Sequence, residues 1–159
     1  MANYSRGQIE DFLYHEAELI DSWQMKAWHQ LYTEDAEYLI PPIEAPDADK
    51  NTALFIINDD YHRLVQRAIR LTKKSAHVEW PHSKVRHMIN NVRIVSQSAE
   101  AVNVGYNQVV YRSKRGTDTF ICHVTQTLIA DGDSFKIRSK RVMLDLHALR
   151  PQGQVSIIL

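Results

Sequence analysis

The sequence predicts an α+β domain in which N-terminal helices pack on a strongly curved antiparallel sheet. Three observations predict it. Helical periodicity is confined to the first seventy or so residues. Long alternating segments fill the stretch from about 85 to 147. A hairpin signal, Asp131-Gly132, joins two of those segments. Helices first and a strand meander after them is the α+β order. The chain has 159 residues, 44% of them hydrophobic and 24% charged. A chain of that length buries roughly two-thirds of its unfolded surface, enough for one core. A single domain over 1–159 is expected, with a tail from 148 to 159.

The first helix is expected over 5–22. Ser5 with Gln8 makes a capping box. Ile9, Phe12, Leu13, Ala17, Ile20 and Trp23 recur at helical spacing, with Glu10, Asp11, Glu18 and Asp21 on other faces. A shorter helical piece, running to about residue 32, turns Trp28 and Leu31 inward. Tyr38 and Ile40 begin a short strand that Pro41 and Pro42 stop. Residues 41–57 read as a loop. Asn58 opens a second helix over 58–72, with Asp59 and Asp60 in its first turn and Arg70, Lys73 and Lys74 near its end. Tyr61, Leu64, Val65, Ala68 and Ile69 form its apolar stripe.

Four long strands are expected at 85–95, 101–113, 118–130 and 134–147. Phe120, Cys122, Val124 and Leu128 alternate with Thr119, His123, Thr125 and Thr127, so one face is buried and one polar. In the last strand Phe135 and Ile137 share one parity and Val142, Leu144 and Leu146 the other. That switch predicts a bulge near Ser139–Arg141.

Several function classes drop out. No stretch approaches the roughly 18 apolar residues of a membrane span. The N-terminus runs straight into an acid-rich amphipathic segment, unlike a signal or transit peptide. The lone Cys122 excludes a disulfide framework and a four-cysteine metal site. The cytoplasm is the expected compartment. A formal net charge of zero argues against nucleic acid as a partner. That zero is a sum of halves. Residues 1–60 hold 13 acids against 3 bases, and residues 61–159 hold 6 acids against 16 bases. The halves are expected to neutralise each other by packing together, within one subunit and between neighbours.

Catalytic motifs are missing. His77, His82 and His87 are five apart, a spacing that puts consecutive members on opposite strand faces. Asp59-Asp60-Tyr61-His62 resembles the opening of a two-histidine, one-carboxylate iron site, but Arg67 stands where the second histidine belongs. A Rieske cluster needs two cysteines. Cys122 and His123 are strand neighbours and face opposite ways. No Gly-rich phosphate loop and no nucleophile elbow occur among the 5 glycines.

Four stretches carry a family resemblance. Ile9-Glu10-Asp11-Phe12-Leu13-Tyr14-His15-Glu16-Ala17 and Trp28-His29-Gln30-Leu31-Tyr32-Thr33-Glu34-Asp35-Ala36 open the chain. Pro81-His82-Ser83-Lys84-Val85-Arg86-His87 fits a Pro-x-Ser-x-x-Arg-His pattern, and Lys140-Arg141-Val142-Met143-Leu144-Asp145 lies on the last long strand. Together, in this order and over roughly residues 5–147, they resemble the small (beta) subunits of Rieske-type aromatic-ring-hydroxylating dioxygenases. The resemblance implies a cone-shaped, nuclear-transport-factor-2-like (cystatin-like) fold. It implies no cofactor in this chain and no catalytic residue. A partner alpha subunit would carry the 2Fe-2S Rieske cluster and mononuclear Fe(II), commonly in an alpha3beta3 hexamer. Electrons would come from NADH through a reductase and, in some systems, a ferredoxin, in the bacterial cytoplasm. The product would be a cis-dihydrodiol of an aromatic ring, and the beta chain would be a structural scaffold. The end of the chain, Val155-Ser156-Ile157-Ile158-Leu159, departs from the family's usual tail. It is expected to be ordered, as an edge strand or inside the cone.

Contacts to neighbouring subunits are expected at Trp80, Arg86, His87, Asn91 and Arg141, because Trp and Arg are common interface anchors. Arg86, His87 and Asn91 have an alternative use inside the cone, bonded to acids of the first helix. A second function is a stand-alone dehydratase or isomerase of the same fold, using Tyr14 with His62 or His87. Against the isomerase, Ile40 occupies the position before Pro41 where a catalytic Asp would be expected, and an alkyl group is no base. A third is a pure interaction domain that differs only in its partner.

Overall fold

The computed structural model describes residues 3–73, 81–149 and 155–159. Three helices and six strands follow in the order α1 (Arg6–Asp21), α2 (Met25–His29), β1 (Tyr32–Ile40), β2 (Ile57–Asp60), α3 (Tyr61–Leu71), β3 (Lys84–Gln97), β4 (Ala101–Ser113), β5 (Thr117–Asp131) and β6 (Ser134–Leu144). The strands form one open sheet in the order β2-β1-β6-β5-β4-β3.

The first helix starts where its capping box puts it. Ser5 Oγ accepts from the Gln8 N–H, and the Gln8 side chain accepts from the Ser5 N–H. Ile9, Phe12, Leu13, Ala17, Leu19 and Ile20 are buried on one face. That stripe lies on the inner face of the sheet, where each fully buried aliphatic side chain contributes about 1.5–3 kcal/mol. Val102, Val104, Tyr106 and Val110 from β4 and Phe120, Cys122, Val124 and Leu128 from β5 supply the opposing layer.

The second long helix starts later than its composition suggests. Asn58 lies in β2, and Asp60 is the residue whose carboxylate accepts from the Arg63 N–H. Antiparallel pairing of Ile57–Asp60 with β1 takes those four residues before the helix can begin. Its stripe is narrower too, with Leu64, Ala68 and Leu71 buried and Ile69 exposed.

The sheet is not wholly antiparallel. β1 runs parallel to β6, while every other pair is antiparallel. β1 is also longer than Tyr38 and Ile40 suggest, because it begins at Tyr32. The parity switch in the last strand is real. Ile137 pairs with Leu128 and Ser139 with Thr127, leaving Arg138 as the extra residue, one position before the expected bulge. β3 carries two more irregularities against β4, one at Asn91–Val92 and one at Val95. Asn91 sits at φ 54°, a left-handed conformation that Asn tolerates better than most residues. Such bulges bend and coil a sheet. Gly132 (φ 59°) and Gly116 (φ 92°) close the β5–β6 and β4–β5 hairpins.

The C-terminal residues go inside. Ile157, Ile158 and Leu159 are buried with the core, and the Leu159 N–H donates to the Tyr38 hydroxyl at 3.1 Å. The segment from Pro41 to Ile56 folds over the outer face at the β1–β6 end. There Leu39 is covered and the Arg141 guanidinium lies 5.5 Å from the Phe55 ring centre. No helix of the described residues is long and apolar enough to cross a membrane.

Candidate functional site

The interior of the fold, between helices and sheet, holds a polar cluster. Glu16 (α1), Gln126 (β5) and Lys140 (β6) are each no more than 2% exposed. Lys140 Nζ lies 3.0 Å from Glu16 Oε2, and the Trp28 indole N–H donates to the same oxygen at 3.0 Å. Gln126 Nε2 donates to Glu16 Oε1 at 2.9 Å and to the Tyr106 hydroxyl at 2.8 Å. Burial opposes ionisation of Glu16, but the Lys140 charge and the donors of Lys140, Trp28 and Gln126 outweigh it, so its carboxyl stays below the ordinary range. Burial, reinforced by the Glu16 charge, raises the Tyr32 and Tyr106 phenols well above theirs. The cluster is therefore a closed ion pair with neutral phenols around it. Its charge is fully matched and shut away from solvent, which suits holding elements together rather than meeting a substrate.

This cluster is a signal present in the sequence and not used there. Glu16 falls in phase with Phe12, Leu13 and Ile20. Gln126 shares the parity of Val124 and Leu128, and Lys140 that of Val142 and Leu144. Three polar residues in apolar phase mark a buried network.

The structure places the expected contact residues in different settings. Trp80 lies outside the described residues. Arg86 is exposed on the outer face of β3, and Asn91 is exposed at its bulge. His87 takes the internal alternative. Its Nδ1 is 2.6 Å from Asp21 Oδ1, its backbone N–H donates to the same carboxylate, and its Nε2 is 2.9 Å from the Ile158 carbonyl. It thus ties α1 to the C-terminal segment. Arg141 donates to the Pro46 and Ala48 carbonyls at 2.7 and 2.8 Å and pins the 41–56 segment.

The other candidate groups are equally occupied. Arg67, at the position a second iron ligand would need, makes a two-pronged ion pair with Asp59 at 2.6 and 3.1 Å. That pair keeps the guanidinium firmly protonated against its burial. Cys122 is buried, and desolvation pushes its thiol up to about 12, so it is no nucleophile. His82 stacks on Trp23 at 4.0 Å. Tyr14 and His87 do line a common surface groove with Asp21 and Arg86. Both ring nitrogens of His87 are already engaged, and His62 lies away on α3, so the groove holds no free base from this set. Among the described residues no group of three His, Cys, Asp or Glu side chains is arranged to hold a metal ion.

The comparisons with known proteins agree on one relationship. The profile of the ring hydroxylating beta subunit family matches residues 15–150. The small oxygenase component of the p-cumate 2,3-dioxygenase system of Pseudomonas putida is 45% identical over 157 residues, covering 98% of this chain and 87% of that protein. The beta subunit of benzoate 1,2-dioxygenase from Burkholderia mallei superposes with a TM-score of 0.76 at 24% identity, covering 91% of this chain and 93% of that one. An NTF2-like protein with a cystatin-like fold from Novosphingobium aromaticivorans superposes with a TM-score of 0.62 at 13% identity, covering 93% and 86%. The architecture is thus the NTF2-like, cystatin-like fold. With the profile spanning most of the chain and near-half identity to a small oxygenase component, this protein belongs to the beta-subunit family of aromatic-ring-hydroxylating dioxygenases.

Proposed function

We propose that this chain is the non-catalytic scaffold subunit of a multicomponent, NADH-dependent aromatic-ring dioxygenase of the bacterial cytoplasm. In that enzyme a partner alpha subunit holds the Rieske cluster and the mononuclear iron. Three alpha and three beta chains make the working particle, and a reductase, with or without a ferredoxin, feeds it electrons. The observation that carries this reading is the filled interior. The space where a fold of this shape has room for a ligand is taken by Ile157, Ile158, Leu159 and the Glu16–Lys140 cluster. Arg86 and Asn91 are proposed as direct contacts to neighbouring chains, supported by their exposure. His87 and Arg141 are proposed to serve assembly through the segments they fix. The substrate is proposed to be an aromatic carboxylate of the p-cumate kind, on the strength of the 45% identity.

Co-expression with the cognate large oxygenase subunit tests this. The purified complex should contain iron and acid-labile sulfide, have the mass of three copies of each chain by light scattering, and oxidise p-cumate with NADH and the reductase. This chain purified alone should bring no iron and turn over no aromatic acid. Failure to associate with the large subunit, or isomerase or dehydratase activity of the chain alone, would overturn the reading.

A further inference from the structure

The outer face of β3, β4 and β5 presents a row of exposed apolar side chains, and its composition among the described residues is that of an interface. Cross-strand register sets Met88 beside Val109 and Val109 beside Ile121, and it sets Arg86 beside Tyr111. Met88 is 54%, Ile121 45% and Tyr111 43% exposed. The same face also carries Lys84, Asn90, Arg93, Val95, Asn103, Asn107, His123 and Thr125. Its fixed charges along β3 are Lys84, Arg86 and Arg93, all basic, and none has an ion-pair partner among the described residues. Glu and Asp are absent from the rows 84–95, 103–113 and 117–127 of this face. Enrichment in Met, Tyr and Arg with depletion of Lys, Glu and Asp is what distinguishes an interface core from ordinary surface.

The opposite end of the same face is covered by residues 41–56, and that segment has the complementary character. Leu54 stands 93% exposed on it. Glu44 and Asp47 of the same segment are exposed, with no ion-pair partner among the described residues. The segment is rigidly held. Arg141 grips the Pro46 and Ala48 carbonyls, Lys50 pairs with Glu37, and the Ile56 N–H donates to the Ile40 carbonyl. A preorganised segment with an exposed leucine and unpaired carboxylates complements an apolar row with basic side chains, and little ordering entropy opposes the contact.

We propose that the 41–56 segment of one beta chain docks on the exposed apolar row of the β3–β5 face of a second beta chain. The occupant is a second copy of this chain, because both halves of the complementary pair are present in one sequence. The donor and acceptor lie at opposite ends of one face, so the contact is head-to-tail. A head-to-tail contact repeated about a three-fold axis closes as a ring. This inference rests on the three-beta particle proposed above and names the surfaces that build it.

A photo-crosslinker reads the contact directly in the assembled oxygenase. Cys122 is the sole cysteine of this chain and is buried, so within the beta chain a maleimide-benzophenone attaches selectively at Met88→Cys, and only linked peptides that carry position 88 are scored. Irradiation should join two beta chains, with the linked peptide falling within residues 41–56 of the second copy. The reciprocal probe at Leu54→Cys should mark β3–β5 of a second copy. Adding Arg86→Glu and Arg93→Glu should cause loss of the joined product. Crosslinks from Met88→Cys to the alpha chain, to the β3–β5 face of another beta chain, or to nothing would overturn the proposal. Light scattering on the same sample separates the two readings. A particle with three beta chains but no such crosslink sinks the docking alone, and a particle without three beta chains sinks the stoichiometry it rests on.

Discussion

Lys140 has lost its water and depends on Glu16 for compensation. Removing one partner of a buried pair leaves an uncompensated charge and costs about 3–5 kcal/mol. Lys140→Met should cost that much in urea unfolding, because the Glu16 carboxylate keeps only Trp28, Gln126 and a long contact to the Tyr32 hydroxyl at 3.5 Å. The double change Glu16→Leu with Lys140→Met should cost less than the sum of the two single changes, by about 0.5–3 kcal/mol of coupling. Additive effects would mean that the pair does not act as a unit. The acid limb offers an independent check. Glu16 is held below its ordinary value of 4.5, so the stability it brings is full above that pH and is lost as pH falls through the lower folded-state value. The double variant should lack that limb. Each of the three polar residues stood out singly in the sequence by its phase. What no periodicity contains is that they meet, since Glu16 lies 110 positions from Gln126 and 124 from Lys140.

The elements were legible to the degree that their causes are local. The Ser5 capping box, the apolar stripe of α1, the alternation in β5 and the Asp131-Gly132 turn all act over a few residues, and each stands where the sequence puts it. The second helix did not, because two signals compete over Asn58–Asp60. Cap-type residues favour helix initiation there, while the β1 edge offers backbone partners to the same residues. The sheet takes them, and the cap moves to Asp60. The parallel pairing of β1 with β6 is likewise set by the returning chain and has no local mark. The shift of the cap has a measurable consequence. Asp60→Ala should lower stability by about 1 kcal/mol, the usual value of an N-cap bond, and Asn58→Ala should change it by no more than a few tenths. The opposite ranking in thermal or urea unfolding would restore the cap to Asn58.

At the scale of the whole molecule, the opposed charges of the two halves have a physical use. Glu16–Lys140, Asp59–Arg67, Asp21–His87 and Asp35–Arg138 each join an acid of the first 60 residues to a base beyond them. The first and third tie α1 to the sheet, the second ties α3 to β2, and the last joins β1 to β6. The basic surplus left on β3 is the part that faces outward, as Lys84, Arg86 and Arg93. The same packing decides what the fold can do. A sheet wrapped on helices leaves an interior that must be filled by ligand, water or chain. Here the Val155–Leu159 segment enters it, fastened at Ile158 by His87 and at Leu159 by Tyr38. If that segment is core rather than trim, Ile158→Ala and Leu159→Ala should each behave as core truncations, losing about 2–5 kcal/mol in urea unfolding with an unchanged m-value. A surface strand would lose a few tenths. Losses of core size would mean that the interior is committed to stability, and that the work of the protein is done on its outside.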